Sequence, residues 1–275
     1  MPKIFNSKKF YDLGTTERIP NWLLDQIEKR LKGHLNLNMS IVGDTGAGKS
    51  YLALRLGELI SKRFNTPFTI EQVLFDPTQF FKIIQVLPSR SVIMFDESSV
   101  SLDSHKWMTV QNKMLSYVTE TYRFKEFVTV FCLPSLHMLD SRVRQVVHVL
   151  IRMYGKNCEE ARVYRLTATH LGAQYLKGVG CIYNAKLPSY EKCKRASCRG
   201  CPQYKTCDLL RGQYERKKEE SFNELVAFTQ FRLSQLPFDK LITGSPYGAA
   251  QKIGMEKEDY GENIVDEDIS DIDEK

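Results

Sequence analysis

Gly43-Asp44-Thr45-Gly46-Ala47-Gly48-Lys49-Ser50 follows the spacing G-x-x-x-x-G-K-[S/T]. Glycines at these positions let the main chain curl so that successive N–H groups converge on a phosphate, aided by the positive end of a following helix. Lys49 is expected to reach the β- and γ-phosphates, and the Ser50 hydroxyl to ligand Mg²⁺. With the neighbouring Tyr51, this stretch is the expected binding segment for a nucleoside triphosphate, ATP above all. Farther on, the apolar run Val92-Ile93-Met94-Phe95 ends in Asp96-Glu97. A carboxylate closing a buried strand needs a compensating partner, and Mg²⁺ supplies one. Asp96 is expected to hold the ion's water shell and Glu97 to activate the attacking water. Ser135, after the run Phe127-Val128-Thr129-Val130-Phe131-Cys132-Leu133-Pro134, is a candidate contact to the γ-phosphate. Arg142 and Arg144 are candidates for a charge-stabilising arginine acting across a subunit interface, with Arg123 behind them. A last cluster, Cys193-x4-Cys198-x2-Cys201-x5-Cys207, offers four soft ligands. It suits tetrahedral Zn²⁺, with [4Fe–4S] as the alternative and Cys181 as a replacement ligand.

The elements that must carry these groups can be read from hydrophobic spacing. Asn21 reads as the cap of a helix that follows it and runs to about Lys32, stopped by Gly33. Residues 37–42 read as a short buried strand, 51–64 as a helix with Leu52, Leu56, Leu59 and Ile60 inward, and 77–86 as a helix capped by Asp76 with Pro77 at its first position. Residues 91–95 and 127–133 have the continuous apolar character of central parallel strands. Between them a helix is expected over 106–124, and another over 141–147. Residues 149–154 and 161–167 read as a hairpin turning at 155–157. The spacing between Lys49 and Asp96 suggests that their two strands lie side by side. Residues 1–18 read as irregular, and 209–236 as a long polar helix. The resulting expectation is an α/β fold: a P-loop NTPase with a mostly parallel sheet flanked by helices, a small cysteine-rich module and a C-terminal helix. Boundaries are placed to give an ATPase domain at 1–178, the cysteine-rich and helical region at 179–255, and an acidic disordered tail at 256–275.

The 275 residues carry a formal net charge of +6, unevenly distributed. The final twenty hold ten carboxylates against two lysines, which leaves 37 basic and 23 acidic residues, or +14, in the rest. A body that positive favours an anionic partner, DNA foremost, while the tail could bind a protein partner. No apolar run is long enough for a membrane span. The basic N-terminus lacks the apolar core of a secretory signal, so a cytoplasmic location is expected. An odd number of cysteines, seven, argues against a disulfide framework.

The residues 37–170 resemble the FtsK/HerA division of P-loop ATPases, and in particular its Zot-like branch of archaea and mobile genetic elements. The resemblance rests on GDTGAGKS, on VIMFDE, on ETYRFKEFVTVFCLPSLHMLDSRVRQ and on the hairpin after HVLIRMYG. It implies a ring, a hexamer, with an arginine acting in trans and with DNA translocation or packaging as the work done. One departure is that the strand end, where this group often carries glutamine, reads Pro134-Ser135. Beside the DNA-stimulated motor stand two other readings: a switch in which ATP occupancy controls assembly with a partner, and a small-molecule P-loop kinase. Glu97 favours the motor.

Overall fold

The computed structural model describes residues 10–12, 17–75, 78–96, 125–139, 144–154, 160–168, 174–195, 197–198 and 201–234. The helix expected at 106–124, the turn at 155–157, the acidic tail, and Glu97, Arg123 and Arg142 all lie outside these residues. The chain divides into two compact units, Ser7–Leu225 and a second made of Met1–Asn6 with Val226–Lys275. The first carries the whole of the sheet.

Its architecture is mixed α/β. The strands are β1 (Phe10–Asp12), β2 (Arg18–Pro20), β3 (Leu37–Val42), β4 (Val73–Leu74), β5 (Val92–Asp96), β6 (Val128–Leu133), β7 (Val149–Tyr154), β8 (Glu160–Ala168) and β9 (Gln174–Tyr183). The helices are α1 (Asn21–Lys32), α2 (Lys49–Phe64), α3 (Thr78–Val86) and α4 (Leu210–Ser234). Among the described residues the strands form one sheet in the order β1-β2-β9-β8-β7-β3-β6-β5-β4. From β7 to β4 neighbouring strands run parallel, and from β7 outward to β1 they run antiparallel. The sheet is therefore mixed rather than mostly parallel. The 149–167 hairpin does not end the sheet, because β9 pairs along the whole of β8 and then hands on to the chain's own N-terminal strands. The stretch read as irregular thus contains β1, and the boundary drawn near residue 178 falls inside β9.

Two further corrections concern positions. β3 and β5 are not neighbours, because β6 lies between them, with Val42 opposite Leu133 and Asp96 opposite Cys132. The apolar run of β6, buried at every position, is the part of the sequence best suited to the middle of the sheet. Asn21 does not cap α1. The helix already begins there, Pro20 holds the cap position without a side-chain bond, and Asn21 Oδ1 is buried with no partner.

The core lies mainly on one face of the sheet. Met39 and Ile41 of β3, Val92 and Met94 of β5, Val130 and Cys132 of β6, and Ile151 of β7 pack there against Leu23, Ile27 and Leu31 of α1 and Leu52, Leu56 and Ile60 of α2. These side chains recur every second residue on the strands and every third or fourth on the helices, so each element buries one continuous stripe. Phe80 and Ile84 of α3 pack with Leu74, Ile93 and Phe127 in a separate cluster. A buried ion network ties the ends of the unit to α2. Glu17, wholly buried, accepts from Arg55 Nη2 (2.9 Å) and Nε (3.1 Å) and from the Lys186 amide (3.0 Å), while Glu191 accepts from Arg55 Nη2 (2.8 Å). Arg55 therefore fixes where the chain enters the cysteine segment.

Candidate functional site

The candidate site forms where the C-terminal ends of β3, β5 and β6 meet the N-terminus of α2. β3 ends at Val42 and the chain turns at once. Gly43 has φ +147°, and a Cβ there would stand 2.8 Å from Met153 Cβ on β7, so both backbone and packing demand glycine. The Gly43 amide donates to Pro134 O (3.2 Å), which joins the loop to the end of β6. The Ala47 amide returns to Asp44 O (3.1 Å), closing the loop's turn. Gly48 is left-handed at φ +92° and stands at the α2 N-cap with no side chain to satisfy the helix's first amides. Lys49 Nζ donates to Gly43 O (2.7 Å) and Asp44 O (2.9 Å), which holds the ammonium over the loop.

One turn into this arrangement, Ser50 Oγ donates to Asp96 Oδ1 at 3.1 Å. Asp96 is only 6% exposed, because β5 ends beneath the first turn of α2. Its other oxygen, Oδ2, accepts from Tyr214 OH at 2.5 Å. Tyr214 lies in the second turn of α4 and is 1% exposed. Its ring stacks on Phe75 (centroids 6.0 Å apart, 27° between planes) and meets Tyr51 edge-on (6.1 Å, 68°). Burial, and then the adjacent Asp96 charge, push the Tyr214 phenol far above its ordinary pKa, so it stays a donor. Tyr51 OH in turn donates to Glu215 Oε1 (2.5 Å), and burial followed by that carboxylate raises its pKa likewise.

The sequence-predicted residues therefore separate into groups. Gly43 to Tyr51 and Asp96 come together at one mouth. β6 does lie beside β5, and Ser135 follows the residue bonded to Gly43. The Ser135 hydroxyl, however, accepts from the His137 amide (3.3 Å) and so caps the short 3-10 turn at Leu136–Met138. Arg144 Nη1 lies 3.3 Å from His137 Nδ1 on the same exposed turn. Tyr214 and Glu215 were missed. They lie more than a hundred residues from Asp96 and Tyr51, on a helix whose composition reads as solvent-facing. The only hint was an aromatic side chain inside an otherwise charged stretch.

The cysteine segment is the second candidate. Cys193, Cys198, Cys201 and Cys207 all line one cavity of about 20 Å³, together with Arg195, Tyr204, Arg211 and Gly212. Cys181, in β9, is not among the lining residues. Arg195 Nη1 approaches Cys201 Sγ (3.6 Å) and Arg211 Nη2 approaches Cys193 Sγ (3.5 Å). Burial pushes the Cys198 thiol up, against the opposing pull of Arg211. Arg216 pins α4 to this segment through Tyr204 O (2.5 Å) and Cys207 O (2.7 Å). The four thiols share a cavity, yet among the described residues no group of three or more His, Cys, Asp or Glu is arranged as a coordination sphere. The expected Zn²⁺ or [4Fe–4S] centre is thus not shown. Among the described residues no helix is long and apolar enough to cross a membrane.

Comparison with known proteins adds little. No family model matches the chain, and no curated protein matches it either. Among solved structures, it is similar to the N-terminal domain of zonular occludens toxin from Neisseria meningitidis, with 11% identity, a TM-score of 0.34, and coverage of 57% of this chain and 98% of that one. A likeness that loose carries no argument about activity.

Proposed function

We propose that the chain is an ATP-hydrolysing P-loop motor of the FtsK/HerA type that acts on DNA in translocation, packaging or mobile-element transfer. One observation carries the ATPase part: Ser50 and Asp96, far apart in sequence, come within 3.1 Å at the mouth of a glycine loop that holds Lys49 over its own carbonyls. These are the groups that a Mg²⁺-triphosphate needs together, since backbone amides and Lys49 meet the phosphates while Ser50 and Asp96 face the ion. Mg²⁺ held by Ser50 and Asp96 would supply positive charge to the reacting phosphates. In the reaction, Glu97 takes a proton from water as the water oxygen attacks the γ-phosphorus. The bond from that phosphorus to the β-phosphate oxygen breaks, and ADP and phosphate leave. Arg142 or Arg144, from a neighbouring subunit of a hexameric ring, would stabilise the transition state. Ser135 remains a contact candidate at the end of β6.

DNA as the partner is supported by the +14 charge of the chain without its tail. The cysteine segment, which holds Lys192, Lys194, Arg195, Arg199 and Lys205, is assigned to gripping that DNA, with Zn²⁺ or an iron–sulfur cluster as its staple. Supporting the staple is Arg211: it is 2% exposed, its Nη1 has no partner, and its Nη2 contact is a cysteine sulfur. A buried guanidinium wants a negative neighbour, and thiolates holding a divalent ion would provide one.

Steady-state ATP turnover, measured alone and with single- and double-stranded DNA, tests this reading. A several-fold rise with at least one DNA is expected. An unchanged rate with both would remove DNA from the proposal and leave the ATP-driven assembly switch. Glu97→Gln should retain ATP binding and lose hydrolysis. Metal content of the purified protein, compared with Cys198→Ser, decides whether a staple exists and which metal forms it.

A further inference from the structure

Asp96 has two oxygens, and each is met by a different hydroxyl from a different helix: Ser50 from α2 and Tyr214 from α4. We propose that Tyr214 is a positioning residue for the magnesium site, holding Asp96 Oδ2 so that Oδ1 alone is turned toward the ion beside Ser50. The inference rests on the reading of Ser50 and Asp96 as the metal-facing pair.

Three features support it. The first is the nature of the donor. A lysine or arginine against Asp96 would cancel the charge that attracts a cation, whereas a phenol fixes the carboxylate's rotation and leaves that charge in place. The second is rigidity. A tyrosine has only two side-chain torsions, and this ring is confined between Phe75 and Tyr51, with Lys218 Nζ 5.6 Å from its centroid. Its hydroxyl is held in place by packing as well as by the bond itself.

The third is the anchoring of α4. Lys217 Nζ donates to the carbonyls of Ile70 (3.0 Å) and Val73 (2.7 Å), next to β4. Glu215 accepts from Tyr51 on α2, and Arg216 grips the carbonyls of Tyr204 and Cys207. Three consecutive residues after Tyr214 thus bind three separate parts of the unit. A helix that only covered the core would not need to be fixed at every position of one turn. Fixed in this way, it delivers one hydroxyl to one carboxylate oxygen.

The test is Tyr214→Phe, which keeps the ring and removes the donor. Two quantities are measured: the Mg²⁺ concentration that half-saturates ATP turnover at saturating ATP, and the affinity for a fluorescent ATP analogue with Mg²⁺ and with EDTA. The expected result is a roughly tenfold rise in the half-saturating Mg²⁺ concentration, the scale of one lost hydrogen bond to a charged group, with affinity in EDTA unchanged. A folded variant with the wild-type Mg²⁺ dependence overturns the assignment, because a purely structural tyrosine would shift the melting temperature and leave the metal response alone. Should Tyr214→Phe fail to fold, Lys217→Met, which loosens the same turn, must raise the Mg²⁺ requirement in the same direction, and no rise overturns the proposal. Wild-type protein whose nucleotide affinity ignores Mg²⁺ would instead bring down the underlying reading of Ser50 and Asp96.

Discussion

The parallel strands β3, β5, β6 and β7 have two ends, and the polar residues at those ends are used differently. At the N-terminal end they close on one another. Glu126, before β6, accepts from Arg90 Nε before β5 (2.6 Å) and meets His34 Nδ1 before β3 (2.5 Å). Burial works to raise the Glu126 pKa, but its bonds to Arg90 and His34 outweigh burial and hold it below the usual value. Before β7, His148 Nδ1 accepts from the Asn38 amide (3.0 Å). At the C-terminal end the glycine loop, Lys49, Ser50 and Asp96 converge on a mouth, their bonds made largely to loop carbonyls and hydroxyls. Ligands in open α/β sheets bind outside the carboxyl ends of strands. The difference teaches that one set of strands divides its labour, with one end holding the sheet and the other left able to bind.

That division can be broken by mutation. Lys49→Ala is expected to weaken Mg²⁺-ATP binding by at least about 100-fold, or ~2.7 kcal/mol, and to leave the melting temperature within about 2 °C. Calorimetric titration beside a thermal melt checks both halves, and a large loss of stability would blur the comparison. The next effect belongs to the opposite end. Burial first, and then the charge of Arg30, lower the His148 pKa to about 3 from an ordinary 6.5. Between those values the unfolded chain binds a proton that the native chain does not, so this contribution is complete above pH 6.5 and is lost as pH falls toward 3. From pH 7 to pH 5 the loss should be about 2 kcal/mol at ~1.36 kcal/mol per unit. Urea unfolding at the two pH values should show it, and His148→Gln should flatten the slope.

Smaller effects sharpen the picture. Glu126→Ala should cost about 1–2 kcal/mol in the same urea experiment, since it removes two charge-assisted bonds whose partners remain partly solvated, and nucleotide affinity should stay within about twofold. Ser135→Ala should change ATP turnover least, by less than about threefold, because its hydroxyl is engaged by its own turn. A much larger fall would show that Ser135 leaves its own turn to contact phosphate, and would extend the binding end to β6.

How much of this was legible in the sequence depended on how local the determinants are. The loop from Gly43 to Ser50 carries its geometry in its own glycines, and the runs 37–42, 91–95 and 127–133 carry their burial in continuous apolar character. These came through, as did the polar helix expected at 209–236 and found at Leu210–Ser234. The place of β6 between β3 and β5 did not, because strand order is a property of pairing partners rather than of any one run. β9 was hidden by Gly178 and Gly180 and by Lys177 on a strand with exposed residues, which erase the alternation that marks a strand. The Tyr214–Asp96 bond was invisible for the same reason that it matters: it joins residues 118 apart in the chain.

The insertion of β6 has a geometric consequence. Two inter-strand steps place β3 and β5 roughly 10 Å apart, a gap that their main chains cannot close. Hydroxyls lowered from overlying helices must span it. The site therefore depends on how the helices seat upon the sheet: a helix turns about 100° per residue, so a one-residue slip of α2 in its seat would swing the Ser50 hydroxyl away from Asp96 while every strand pairing stayed intact.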